Sequence, residues 1–301
     1  MKIEFTHEKI LRKYRTEFKE GFLLYRNPRV TTSDQLDFDM EYQGNIVTLM
    51  PKPTEKRDAL GYIKILEEGN KAFENVEYIL DKKGVPIDIN NYSEIRNKWN
   101  QIRKSVKTKD RDEMLTDLIF RLSGIIEHDE ALFDLLKRYC IIPYLFTGFH
   151  NTEIEAKREN KCYGMIYNLF PLTDIPVLYT LTGEKKDTEE SWKEEGDKKI
   201  LIKGTVDPQY DRFEYIGIIK NRLSSEEQKE LIGKIGSFNL EIEGYYLFDA
   251  ENTLKKMELL IQVGIGNLLN YACQYKISQR LKEEGEIQEK NLEGEEIGEK
   301  I

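Results

Sequence analysis

Asn239–Leu281 reads NLEIEGYYLFDAENTLKKMELLIQVGIGNLLNYACQYKISQRL, three runs of alternating apolar and polar residues with turn-like breaks between them. In the middle run Met257, Leu259, Ile261, Val263 and Ile265 fall on one side, the period-2 mark of a strand with one buried face. The stretch predicts an antiparallel meander. A related hairpin is predicted nearer the N-terminus, where Val76, Tyr78 and Leu80 approach Asp81-Lys-Lys-Gly84 and Val85, Ile87 and Ile89 leave it. Val76-Glu-Tyr-Ile-Leu-Asp and Gly244-Tyr-Tyr-Leu-Phe-Asp resemble each other locally. Either both use Asp for its turn chemistry, or the two halves are duplicates.

Working outward, Thr6 is placed to cap a first helix in which Ile10, Leu11, Tyr14 and Phe18 recur at three- and four-residue spacing and which Gly21 ends. Leu36, Phe38, Met40 and Tyr42 alternate, and Gln43-Gly-Asn45 turns the chain into Ile46–Met50, a hairpin pattern. Further strands are expected at Leu60–Leu66, Val76–Leu80 and Val85–Asn90. The period changes at Asn91, where Asn91-Tyr-Ser-Glu94 has capping-box spacing and Ile95, Trp99, Ile102 and Val106 form a helical stripe. A second helix is expected from Asp110 and a third from Asp129 to about Tyr139, with Pro143 barring its continuation. Strands follow at Tyr163–Leu169 and Ile175–Leu181, then a charged surface excursion over Glu184–Lys199. Ile200–Val206 and Phe213–Ile219 are expected as a strand pair, with a short helix from Ser224 or Ser225 to near Gly233. The predicted fold is α+β: two antiparallel sheet regions of meander or half-barrel type, separated by a central block of three helices, with a flexible acidic C-terminal tail. The expected segments are 1–90, 91–142, 143–281 and the tail 282–301, as one elongated unit or two domains.

The chain has 301 residues, 39% hydrophobic and 34% charged, which suits a globular protein with a well-solvated surface. No apolar run approaches the roughly 18 residues of a membrane span. The start, Met1-Lys-Ile-Glu-Phe-Thr-His-Glu, lacks the apolar core of a secretory signal, which predicts a soluble cytoplasmic protein. Cys140, Cys162 and Cys273 are widely spaced among apolar neighbours and read as buried thiols. Of the net charge of −9, the tail contributes −5 through eight Glu and three Lys, so the body carries −4. That balance disfavours nucleic acid, which rewards clustered Lys and Arg.

Catalytic material is sparse. His7, His128 and His150 are the only histidines, and His150 with Glu153 offers two ligands without the third and fourth that a metal needs. No nucleophile elbow, Ser-x-x-Lys signature or phosphate loop is present. Asp37 with Asp39, and Glu241 with Glu243, are two apart as a glycosidase pair on a strand face would be, but a solvated sheet face gives the same pattern. Aromatic residues are more suggestive, with seventeen Tyr and thirteen Phe, several of them on strands. Tyr245 should point away from the core claimed by Tyr246 and Phe248. Ile141–Phe149 is apolar without a regular period, either a buried crossover or part of a groove.

The leading expectation is a non-catalytic binding protein (an inhibitor, an immunity-type protein or an assembly adaptor) that uses an exposed sheet face. Its candidate surface is Tyr245, Glu241, Glu243, Tyr163 and Phe149, its partner another protein, and no cofactor, metal or nucleic acid is expected. The alternative is a carrier of an apolar small molecule. The order of strands, helices, strands is similar at the level of fold to the half-barrel carriers of bacterial lipoproteins, which implies a curved sheet enclosing a cavity. A hydrolase using dispersed acids is the third reading.

Overall fold

The computed structural model describes residues 1–24, 30–52, 70–107, 113–138, 142–145, 148–155, 158–169, 173–184, 196–220, 225, 229, 238–266 and 269–280. Its strands are β1 (Ile10–Leu24), β2 (Val30–Gln43), β3 (Ile46–Pro51), β4 (Val76–Leu80), β5 (Pro86–Ile89), β6 (Asn160–Leu169), β7 (Thr173–Gly183), β8 (Lys198–Val206), β9 (Phe238–Phe248), β10 (Leu254–Ile265) and β11 (Leu269–Gln279). All eleven join one antiparallel sheet in the order β5-β4-β3-β2-β1-β11-β10-β9-β8-β7-β6. Two meanders are therefore present, but they form one sheet rather than two regions: β1 and β11 pair over eleven residues, from Tyr14 opposite Gln279 to Leu24 opposite Leu269. Between β5 and β6 lie α1 (Tyr92–Lys107), α2 (Glu113–Ile126), α3 (Asp129–Lys137) and the single turn α4 (Ile142–Leu145), while α5 (Arg212–Lys220) follows β8.

These helices meet the sheet through its tyrosines. The Tyr78 hydroxyl on β4 donates to the Leu136 carbonyl of α3 at 3.3 Å, and that of Tyr246 on β9 donates to the Tyr144 carbonyl of α4 at 2.7 Å. The Tyr144 ring lies 4.3 Å from that of Tyr275 on β11. Met257, Leu259, Ile261, Val263 and Ile265 are all buried on the same face, as their alternation predicts, together with Leu240, Ile242 and Tyr246 of β9. Within the helical layer the Trp99 indole donates to Ser123 Oγ at 3.0 Å, fastening α1 to α2.

β1 replaces the first predicted helix. Tyr14 and Phe18 are four apart, and four residues is both about one helical turn and two strand repeats, so their spacing fits either structure. Pairing on both flanks, with β2 and β11, selects the strand. Phe213–Ile219 is corrected in the opposite sense, from strand to the helix α5. Asp211 begins it, its carboxylate accepting from the Phe213 amide at 2.9 Å, and β8 pairs with β7 and β9 instead. Helix α1 starts as expected, but Asn91 does not spend its side chain as a cap. Its Oδ1 accepts from the Glu77 amide and its Nδ2 donates to the Asn75 carbonyl, stapling the helix start to β4. Leu60–Leu66, most of the helix from Ser224, most of the Glu184–Lys199 excursion, Cys140 and the acidic tail lie outside the described residues.

The two similar hairpins share one turn. Asp81 accepts from the Val85 amide and Asp249 from the Thr253 amide through their side chains, at 2.8 and 2.7 Å. The fourth residue is left-handed in both, Gly84 at φ +84° and Asn252 at φ +64°, a conformation that Gly and Asn accept most readily. The hairpins sit at different places, β4–β5 at the sheet's end and β9–β10 well inside it, so the shared turn is a local solution.

Candidate functional site

Ten antiparallel pairings separate β5 from β6. An even number of reversals makes these two end strands run in the same sense. They face one another across a pocket of about 290 Å³, lined by Val85 and Pro86 on one side, Tyr163 to Met165 and Tyr167 on the other, and Lys137, Ile142, Pro143 and Tyr179. Its lining is mostly apolar and aromatic with one cation, the composition of a small-ligand or side-chain pocket at the lower end of the usual size range. Among the described residues a second hollow, beside Phe5, Tyr42 and His150, has room for about one water at 20 Å³.

Each wall follows from local structure. Tyr179 is positioned by glycines on both neighbouring strands: a Cβ on Gly164 of β6 would lie 2.5 Å from its ring, and one on Gly204 of β8 would lie 2.9 Å from it. Arg138, just after α3, carries its guanidinium 5.3 Å from the Tyr167 ring and bonds Asp174 of β7, tying the helical layer to β6 and β7. On the opposite wall the Asp81 turn presents Val85. His150 supports that turn, because its amide donates to the Lys83 carbonyl at 2.9 Å and its ring fills the space beside Gly84.

The candidate residues separate into two groups. Tyr163 lines the pocket and is 72% exposed, while Phe149 is 1% exposed, packed 5.1 Å from Tyr246 and 5.7 Å from Phe248, and so belongs to the core. The apolar run 141–149 that suggested a groove residue is a crossover at this point. Tyr163, Leu178, Thr205 and Glu241 form one cross-strand row on the face away from Tyr179. Three strand steps of about 4.8 Å put Glu241 about 14 Å from Tyr163. Tyr245 shares that face, half-buried between the ammonium groups of Lys199 and Lys256 at 5.2 and 5.6 Å, and Glu243 approaches Lys203 at 3.8 Å. Ile142 and Pro143, at the start of the run 141–149, line the pocket, whereas Pro86 was not singled out in the sequence because nothing local marks a residue that the topology alone brings to the seam.

The acid–base candidates are occupied elsewhere. Asp37 is held by Arg15 and Arg280 at 2.9 Å each, and the Arg15 hydrogen bond keeps its carboxyl below the usual range. Asp39 is bound by Lys52 at 2.6 Å. His150 is stacked between Phe5 and Phe149, its buried Nδ1 has no hydrogen-bond partner among the described residues, and burial lowers its pKa to about 4. Asn151 is left-handed and Glu153 exposed, so the segment is not helical and does not aim Glu153 beside the imidazole. Burial raises the Cys162 thiol to about 11, with Lys83 opposing, and the Cys273 thiol to about 12, so both stay protonated at neutral pH. Among the described residues no three His, Cys, Asp or Glu gather as metal ligands, and no helix is long and apolar enough to cross a membrane. No protein-family model and no curated protein matches the chain.

Proposed function

We propose that the chain is a non-catalytic binding protein whose site is the seam between β5 and β6, with another protein as its partner. The observation that carries this reading is the pocket of about 290 Å³ between the sheet's two ends, with Tyr163 standing 72% exposed at its mouth. An exposed Tyr beside an apolar hollow joins rigid contact area to a polar tip, the usual makeup of a binding anchor. The occupied carboxylates and protonated thiols support a binder over a hydrolase. The sheet curving around α1 to α4 as a half-barrel is part of the same proposal, since it brings β5 opposite β6.

The carrier reading keeps one supporting observation, the apolar lining of Val85, Pro86, Ile142, Pro143 and Met165. Affinity capture from the native host, with mass spectrometry of proteins and extracted small molecules, separates the two. Wild type, Tyr163→Ala with Met165→Arg, and Glu241→Ala with Tyr245→Ala serve as baits. A protein retained by wild type and the Glu241/Tyr245 variant but lost from the Tyr163/Met165 variant is expected. Retention by the seam variant, or loss from the outer-face variant alone, overturns the assignment.

A further inference from the structure

We infer that the seam receives an extended, acidic segment of the partner as a twelfth strand, antiparallel to both β5 and β6, with an apolar side chain seated in the pocket. The inference rests on the binding site proposed above and names what fills it. Because β5 and β6 run in the same sense, they cannot close the sheet by antiparallel pairing with each other. One inserted strand of opposite sense continues the alternation on both sides. β6 offers the receiving edge: it is ten residues long, contains no proline, and among the described residues no backbone hydrogen bond reaches it from the side opposite β7. An edge of that kind is the substrate for strand addition, in which main-chain bonds give affinity and alternate side chains enter pockets.

Charge selects the chemistry of the segment. Lys82 and Lys83 on the turn before β5, and Lys161 on β6, are exposed and form no ion pair among the described residues. Val85, two residues beyond Lys83, and Tyr163, two beyond Lys161, line the same pocket, so the two lysine-bearing ends meet at the same mouth. The neighbouring acids are used locally: Asp81 accepts from the amides of Lys83 and Val85, and Asp134 is bound by Lys137 at 2.8 Å and Arg138 at 3.1 Å. Arg158 offsets Glu159 just ahead of β6, and Asp81 and Asp88 stand against the three lysines, so the mouth keeps one net positive charge in a chain of net charge −9.

The full chain is panned against displayed nonapeptides that alternate Asp or Glu with Val, Leu, Ile, Phe, Tyr or Trp, beside a matched library carrying Lys in place of the acids. Enriched acidic peptides are then synthesised and N-methylated at alternate residues in either frame. Methylation in the frame facing β6 should weaken binding at least tenfold and in the other frame less, Lys82→Glu with Lys83→Glu should weaken it about tenfold, and the β6 amides should slow in hydrogen exchange on binding. Failure of the acidic library to enrich over the basic one, or equal binding after methylation in both frames, overturns strand addition. So does a dimer in sedimentation that Tyr163→Arg disperses, which would make a second copy the occupant. A partner captured through the seam with no enriched peptide leaves the binding reading standing and removes this one; absence of both removes both.

Discussion

β5 and β6 end the same sheet and are guarded differently. β5 has four residues and begins with Pro86, which has no amide hydrogen to offer. Short length and an edge proline are common defences against unwanted pairing. β6 has ten residues, no proline, and as its fourth residue Tyr163, which is 72% exposed. β5 therefore has few main-chain bonds to give an inserted strand and β6 has many, so on the proposed reading β6 carries recognition and β5 supports it.

The largest expected effect on this pair comes from acid. His150 supports the turn before β5, and its pKa of about 4 lies below the ordinary value of 6.5. Between those pH values the unfolded chain binds a proton that the folded chain excludes. Stability is therefore complete above about pH 6.5 and declines as pH falls toward 4, by up to about 3 kcal/mol at about 1.4 kcal/mol per pH unit. Asp37 and Asp134, whose carboxyls are lowered by Arg15 and by Lys137, lose their contributions at more acid pH. Denaturant midpoints from pH 7 to 4 should fall for wild type and stay flatter for His150→Phe, which keeps the stack on Phe5 and Phe149. Hydrogen exchange at pH 5 should quicken around Lys83–Ile89 before β6. Equal slopes for the two proteins would remove His150 as the cause.

Next in size is the contrast between an end strand and an inner one. Gly164 and Gly204 both face Tyr179, but Gly204 sits on β8 between β7 and β9, with Ile242 also 2.8 Å from a Cβ placed there. Overpacking costs typically 1–3 kcal/mol. Gly204→Ala should reach about 2–3 kcal/mol, whereas Gly164→Ala, on a strand free to move on one side, should cost about 1 kcal/mol. Urea unfolding of the two variants decides it, and equal losses would mean that β6 is held as firmly as β8. Pro86→Val is smaller still, about 0.5–1 kcal/mol of lost stability from the freer unfolded chain. It should also raise self-association in sedimentation velocity, because β5 regains an amide beside the exposed Val85 and Ile87.

How much of this was legible depended on whether a feature is local. The β9–β11 meander could be read because each of its strands buries one face, leaving Met257 to Ile265 in strict alternation. The Asp81 and Asp249 turns could be read because an Asp bonding its own neighbours needs nothing from the rest of the fold. β1 was misread because Tyr14 and Phe18 satisfy both periods. α5 was misread because Phe213 and Tyr215 alternate by coincidence, one 64% exposed and the other fully buried. Tyr163 was visible as an aromatic on a strand, but its pocket was not, since Pro86, Ile142 and Tyr163 meet only after β1 and β11 have joined the two meanders.

The smallest expected effect is the most discriminating for the two ends. Tyr163→Ala removes a side chain that is mostly in water, and surface substitutions of this kind stay within about 0.5 kcal/mol of wild type. A residue kept for packing would behave otherwise: Tyr179, 4% exposed on the neighbouring strand β7, should lose several kcal/mol on truncation to Ala, in the range of about 3–5 kcal/mol seen for large buried aromatics. If Tyr163→Ala leaves the unfolding midpoint unchanged while the seam loses its partner, the exposed ring serves contact alone. If the midpoint falls by more than about 1 kcal/mol, Tyr163 braces β6 against the helices, and the open end of the sheet is guarded after all.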